Sequence, residues 1–179
     1  MDYRDVIGFW FDEIEEKQWF KKDLAFDEVV RSRFLKVTTA ASLGELYSWR
    51  KSAEGRLAEV ICLDQFTRNM YRDQPASFGC DTLALMLAQE AISRGADQEL
   101  EPRKRCFLYM PFMHSESSLI HEVAVDLFTN LAQDNNLEYE MRHKAIIDRF
   151  GRYPHRNTIL GRISTPEEEA FLQEKGSSF

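Results

Sequence analysis

The stretch Arg56-Leu57-Ala58-Glu59-Val60-Ile61-Cys62-Leu63-Asp64-Gln65-Phe66-Thr67-Arg68-Asn69 places Leu57, Ile61, Asp64 and Arg68 at intervals of four, three and four. That spacing keeps one face of a helix turned the same way, and it ends in two charged residues where an apolar stripe should continue. Both are expected to face inward as an Asp–Arg pair. The same recurrence at three and four runs along the whole chain and strand signals are nearly absent, so the sequence predicts an all-α fold.

Working outward, Val6, Phe9 and Trp10 mark a short first helix, and Phe26, Val29, Val30, Phe34 and Val37 share a stripe on a second. Leu43, Leu46, Tyr47 and Trp49 mark a short element, and Ser52-Ala53-Glu54-Gly55 reads as a turn. Beyond the central helix, Ser77 is the expected cap of a helix through Cys80 and Ala91 that stops near Gly95. Pro102 suits the first turn of the next helix, which Pro111 is expected to interrupt. Ser115 is the expected cap of a helix carrying Ile120, Ala124, Phe128 and Leu131, and a further helix spans about 137–150. Thr165-Pro166-Glu167-Glu168 is a capping box opening a last helix that ends before Gly176. No linker or low-complexity run divides the chain, so residues 1–179 are read as a single domain.

The 179 residues carry 30 acidic against 23 basic side chains, a net charge of -7 that argues against broad capture of nucleic acid or anionic membrane. Any basic site must be local, and one is. Arg149-Phe150-Gly151-Arg152-Tyr153-Pro154-His155-Arg156-Asn157, followed by Gly161-Arg162, packs arginines and a histidine into a stretch broken by glycine and proline. Guanidinium groups grip carboxylate or phosphate with two hydrogen bonds, so the cluster points either to an anionic ligand or to carboxylates of the same protein. Asp81 and Glu116 also sit on apolar stripes and need partners, since an unpaired buried charge costs several kcal/mol. Three cysteines without close-pair spacing, Cys62, Cys80 and Cys106, are expected to be reduced thiols. The first residues lack a signal sequence and no apolar run approaches a membrane span, so a cytoplasmic protein is expected.

Trp19-Phe20, Phe26-Asp27, Leu63-Asp64-Gln65-Phe66 with Arg68-Asn69, Phe78 with Asp81, Met110-Pro111 with His114-Ser115-Glu116, and the segment from Phe150 to Asn157 with Leu160-Gly161-Arg162 together resemble the bacterial domain of unknown function 924 family. The resemblance covers nearly the whole chain. It implies stacked antiparallel helical hairpins similar to tetratricopeptide repeats, and it implies no activity. Three positions depart from the family pattern: Thr67 replaces an expected proline, Tyr153 a phenylalanine, and His121 falls near an expected glutamine.

The segment after Phe150 is expected to fold back so that Arg152, His155 and Arg156 approach His114 and Glu116. One reading is a pocket for a small anionic or polar metabolite, lined by Asp64, Arg68, Arg72, Arg152, Arg156 and Arg162, with His114, His155 and Glu116 as candidates for acid/base chemistry and no cofactor. His114 is placed at the start of a helix, where an anion is favoured. A second is a helical interaction module for a protein partner, its arginines a clamp on Asp64, Asp81 and Glu116. A third is a metal-dependent hydrolase using His114, Glu116, His121, His143 or His155, although no metal-ligand spacing such as HExxH occurs. His143 alone reads as a hydrogen-bonded core histidine.

Overall fold

The computed structural model describes residues 1–131 and 135–177. Within them the chain is helical throughout, with no strand: α1 (Tyr3–Gly8), α2 (Leu24–Ser42), α3 (Ala53–Ile61), α4 (Thr67–Met70), α5 (Asp81–Ser93), α6 (Pro102–Met113), α7 (Ser118–Leu131), α8 (Asn136–Phe150) and α9 (Pro166–Phe171). Successive helices stack as hairpins. α6 packs on α7 and α7 on α8, while α3 lies in the middle against α1, α5 and α6.

The main core is aromatic. Phe9, Phe34 and Phe66 follow one another with ring centroids 4.7 Å apart at each step, and Trp10 meets Phe66 and Phe107 edge-on. Such tilted pairs add about 1 kcal/mol each beyond the area they bury. Val30, Phe34 and Val37 of α2 are buried as the stripe predicts, but Val29 lies on the outer shoulder of the helix and is exposed. A second, smaller apolar cluster of Ile146, Ile147 and Tyr153, with Phe150 and Phe171 against it, sits under the C-terminal segment.

Several boundaries differ from the sequence reading. Ser52-Ala53-Glu54-Gly55 is the first turn of α3, with Ser52 Oγ accepting from Gly55 N–H at 3.1 Å. The glycine is there because the chain comes close, since a Cβ at position 55 would lie 2.0 Å from the Trp49 carbonyl oxygen. Ser77 belongs to a 3₁₀ turn and its hydroxyl donates to the Gln74 carbonyl, so α5 begins only at Asp81. Pro111 does not interrupt α6, which continues to Met113, although the missing N–H removes the helical donor to the Phe107 carbonyl. α7 starts at Ser118 rather than directly after Ser115, and α9 ends at Phe171. Gly151, at φ 68°, takes the left-handed turn that closes α8 and donates to the Ile147 carbonyl.

Candidate functional site

α3 and α4 are one rod interrupted by a π-turn, Cys62–Phe66, and Asp64 lies within it. Such turns bulge a side chain out of the regular helical register. The Asp64 side chain is 0% exposed, and its two oxygens are saturated. Oδ1 accepts from His114 Nδ1 at 2.7 Å and forms an ion pair with Arg68 Nη1 at 3.1 Å, Oδ2 accepts from Gln65 Nε2 at 2.5 Å, and Arg68 Nη1 donates to the Asp64 main-chain oxygen at 2.7 Å. Burial by itself would raise the carboxyl, but Arg68 and then His114 outweigh it and hold Asp64 below the ordinary carboxylate range.

An ionised carboxylate can only accept, so Nδ1 of His114 carries the proton and Nε2 is left with its lone pair. The ring is 17% exposed, and among the described residues nothing bonds to Nε2. Burial first, and the Arg68 charge second, lower the His114 pKa, which keeps the imidazole neutral at pH 7. The residue does not begin a helix. It ends α6, with its N–H on the Met110 carbonyl, so the nearby helix terminus is the negative one and favours a cation.

That terminus explains why the arginine segment docks here. Three successive main-chain carbonyls, at Met113, His114 and Ser115, have no helical donor, and each receives a side chain: Tyr153 OH at 2.6 Å, Arg156 Nη2 at 3.0 Å and His121 Nε2 at 2.9 Å. Arg156 also donates to Asp81 Oδ2 at 3.0 Å, and Arg68 holds both Asp81 oxygens at 3.0 Å. The Arg156 guanidinium is sandwiched between the rings of Phe78 and Tyr153, 4.5 and 4.8 Å from their centroids.

Glu116 completes the junction. It accepts from the Tyr153 N–H at 2.7 Å and from both terminal nitrogens of Arg162, whose hydrogen bonds, after burial has acted the other way, hold its pKa low. Beneath, His121 and Glu140 form a fully buried pair at 2.6 Å, and burial pushes the Glu140 carboxyl up. Tyr153 OH reaches His121 Nε2 at 3.2 Å. Two of the three residues expected to depart from the family pattern therefore touch each other.

The other expected residues are placed elsewhere. Arg152 turns to Glu168 and the Ile163 carbonyl, holding the Glu168 pKa down to about 2, and Arg149 pairs with Glu167. Arg72 forks onto Asp27, shared with Asn69, on the opposite side of the π-turn. His155 lies beside the Tyr153 ring, centroids 5.5 Å apart, and burial lowers its pKa to about 4. His143 is buried with Nδ1 on the Tyr139 carbonyl, as expected of a core histidine. Among the described residues no three His, Cys, Asp or Glu side chains converge to hold a metal ion. Two open depressions lie away from the constellation, one between Ser52 and Lys104 and one beside Phe26 and Arg33. The sequence carried no signal for the π-turn or for the pairing of Arg152 with Glu168; Asp27, by contrast, stood next to Phe26 in the family pattern and was not tied to Arg72.

Residues 6–176 match the family described as bacterial protein of unknown function (DUF924), and the chain belongs to that family. A solved structure of a protein of unknown function from Agrobacterium tumefaciens is similar to it, with 40% sequence identity, 97% of each chain covered and a TM-score of 0.92. No curated protein matches the chain.

Proposed function

We propose that this protein binds a small anionic or polar metabolite on the face where His114, Arg68, Asp81, Glu116 and Arg162 reach the surface. The observation that carries this is the open Nε2 of His114, a strong acceptor held in place from behind by a buried carboxylate. Arg68 pairs with the same Asp64 oxygen as His114, and Arg162 pairs with Glu116, two residues further along the chain; both arginine side chains are partly exposed. Arg72 and Arg152 are left out of this reading because their carboxylate partners, Asp27 and Glu168, make no bond to His114, Asp64, Asp81 or Glu116 among the described residues. Three free cysteines accord with a reduced, cytoplasmic setting.

The test is a thermal-shift screen of phosphorylated and carboxylated metabolites on the wild type and on His114→Gln. A ligand in hundredfold excess over its Kd raises stability by about 2.7 kcal/mol, and that gain should shrink in the variant. If no compound stabilises the wild type, or all stabilise both equally, the reading fails.

A second reading has its own support: every terminal guanidinium nitrogen of Arg156 and Arg162 already bonds to a protein acceptor. On this reading the arginines are a structural clamp in a helical module that engages a protein partner elsewhere. It predicts loss of stability on arginine removal without any ligand effect.

A further inference from the structure

We propose that His114 is a general base that draws a proton from water for attack on the carbonyl of a small ester, with Asp64 as its positioning residue. The proposal rests on reading the His114 face as a ligand site, and it goes further by naming a reaction.

The argument is one of valence. Of the chain's four histidines, His121 has both ring nitrogens engaged, on Glu140 and on the Ser115 carbonyl, His143 is buried with Nδ1 on a main-chain oxygen, and His155 lies against the Tyr153 ring with Nδ1 shielded from solvent. His114 differs in having one nitrogen fixed and one open. Its Nδ1 proton is committed to a carboxylate that burial, Gln65 and Arg68 fix in place, so the ring cannot exchange tautomers without losing that bond. What Nε2 can receive is a hydrogen-bond donor, and solvent water can supply one to a side chain that is 17% exposed.

The charges that develop are also matched. When the proton arrives, the imidazolium faces the Asp64 carboxylate and the negative end of α6, both already in position. The water O–H pair becomes the new C–O bond, the carbonyl π pair moves to oxygen, and the resulting oxyanion has Arg68 close by, since Arg68 and His114 bond to the same Asp64 oxygen. Collapse re-forms the carbonyl and breaks the bond to the leaving group, which takes the proton back from Nε2. Only water is consumed. The lowered pKa keeps the base unprotonated at neutral pH.

Three measurements on the full chain test this. Diethyl pyrocarbonate, which acylates open neutral imidazole nitrogens, should label His114 at least about tenfold faster than buried His121 or His143 by peptide mass spectrometry, in keeping with their engaged nitrogens. Nitrogen NMR should find the Nδ1–H tautomer at His114. Hydrolysis of p-nitrophenyl acetate should fall about 100-fold in His114→Gln, slow in heavy water, and follow a base with pKa below 6.5. Asp64→Asn should lower the rate and raise the fraction of Nε2–H tautomer without removing His114. Equal labelling of His114, His121 and His143, an Nε2–H tautomer in the wild type, or unchanged ester hydrolysis in His114→Gln would each overturn the proposal. Should Asp64→Asn fail to fold, the wild-type labelling and tautomer still decide. A base confirmed in this way with no metabolite found by thermal shift would sink the metabolite reading and leave this one standing.

Discussion

Arg156 Nη2 donates to the main-chain oxygen of His114 at 3.0 Å, joining the C-terminal segment to the end of α6 across 42 residues. The same guanidinium is 8% exposed and shares Asp81 with Arg68. Arg156→Ala leaves a buried carbonyl without a donor and Asp81 with one arginine instead of two. A loss of about 3 kcal/mol is expected in urea unfolding, and Arg156→Lys should restore only part of it because an ammonium cannot fork between the two acceptors. A loss under about 1 kcal/mol, the level of a surface pair, would contradict the clamp.

Asp64→Ala should cost about 3 kcal/mol by the same denaturation measurement, since it leaves His114 and Gln65 without their carboxylate and Arg68 with Asp81 alone. It should also release the His114 ring, seen as sharpening and averaging of its NMR signals. A stable variant with an unmoved ring would show that Asp64 does not hold it.

Stability should fall in mild acid. Burial holds His143 down to about 3 and His155 to about 4, and burial with Arg68 lowers His114, whereas in the unfolded chain each titrates near 6.5. The unfolded state thus binds more protons. Their contribution is fully present above pH 6.5 and is lost as pH drops through the window toward about 3. Glu140, raised by burial, acts in the opposite sense and stabilises the low-pH side. Urea midpoints should begin to fall near pH 6.5, ahead of ordinary carboxylates; a flat profile down to about pH 4.5 would refute this.

Gly55→Ala is expected to destabilise by about 2 kcal/mol or more, because the added methyl meets backbone rather than a yielding side chain. Gly8→Ala is the control. Nothing lies within 4 Å of the added atom there, and helical geometry should make the change neutral or slightly stabilising. Calorimetric Tm values for the two variants suffice.

Tyr153→Phe restores the residue the family pattern implies. The hydroxyl's bonds to the Met113 carbonyl and His121 are lost while the buried ring stays, so the expected cost is about 1 kcal/mol, measured by denaturation. A larger loss would mean that the His121–Glu140 pair depends on it.

Residue spacing made the helices legible, because a stripe at three and four leaves few alternatives, and it correctly turned Asp64 and Arg68 inward. It could not resolve what depends on a chain meeting itself. Glycine at 55 looked like a turn signal, but its reason is the carbonyl of Trp49, a tertiary encounter no local rule contains. Ser115 looked like a cap, yet its main-chain oxygen is what matters, taken by His121. Arginine pairing was misassigned for the same cause. Spacing says which arginines leave the helix, but Arg152 chose Glu168 because α9 returns beside it, whereas Arg162, further along, reached Glu116.

The small apolar cluster of Ile146, Ile147 and Tyr153 is separate from the main core, and the junction between the two is made of polar bonds. Segments joined in this way open before the rest of a molecule unfolds. Amide protons of residues 153–171 should therefore exchange with deuterium faster than those of α3 and α6, and a protease should nick there first. Each such excursion strips Tyr153 and Arg156 from the main-chain oxygens of Met113 and His114. The time that segment spends away then sets how long those two oxygens stand without a protein donor.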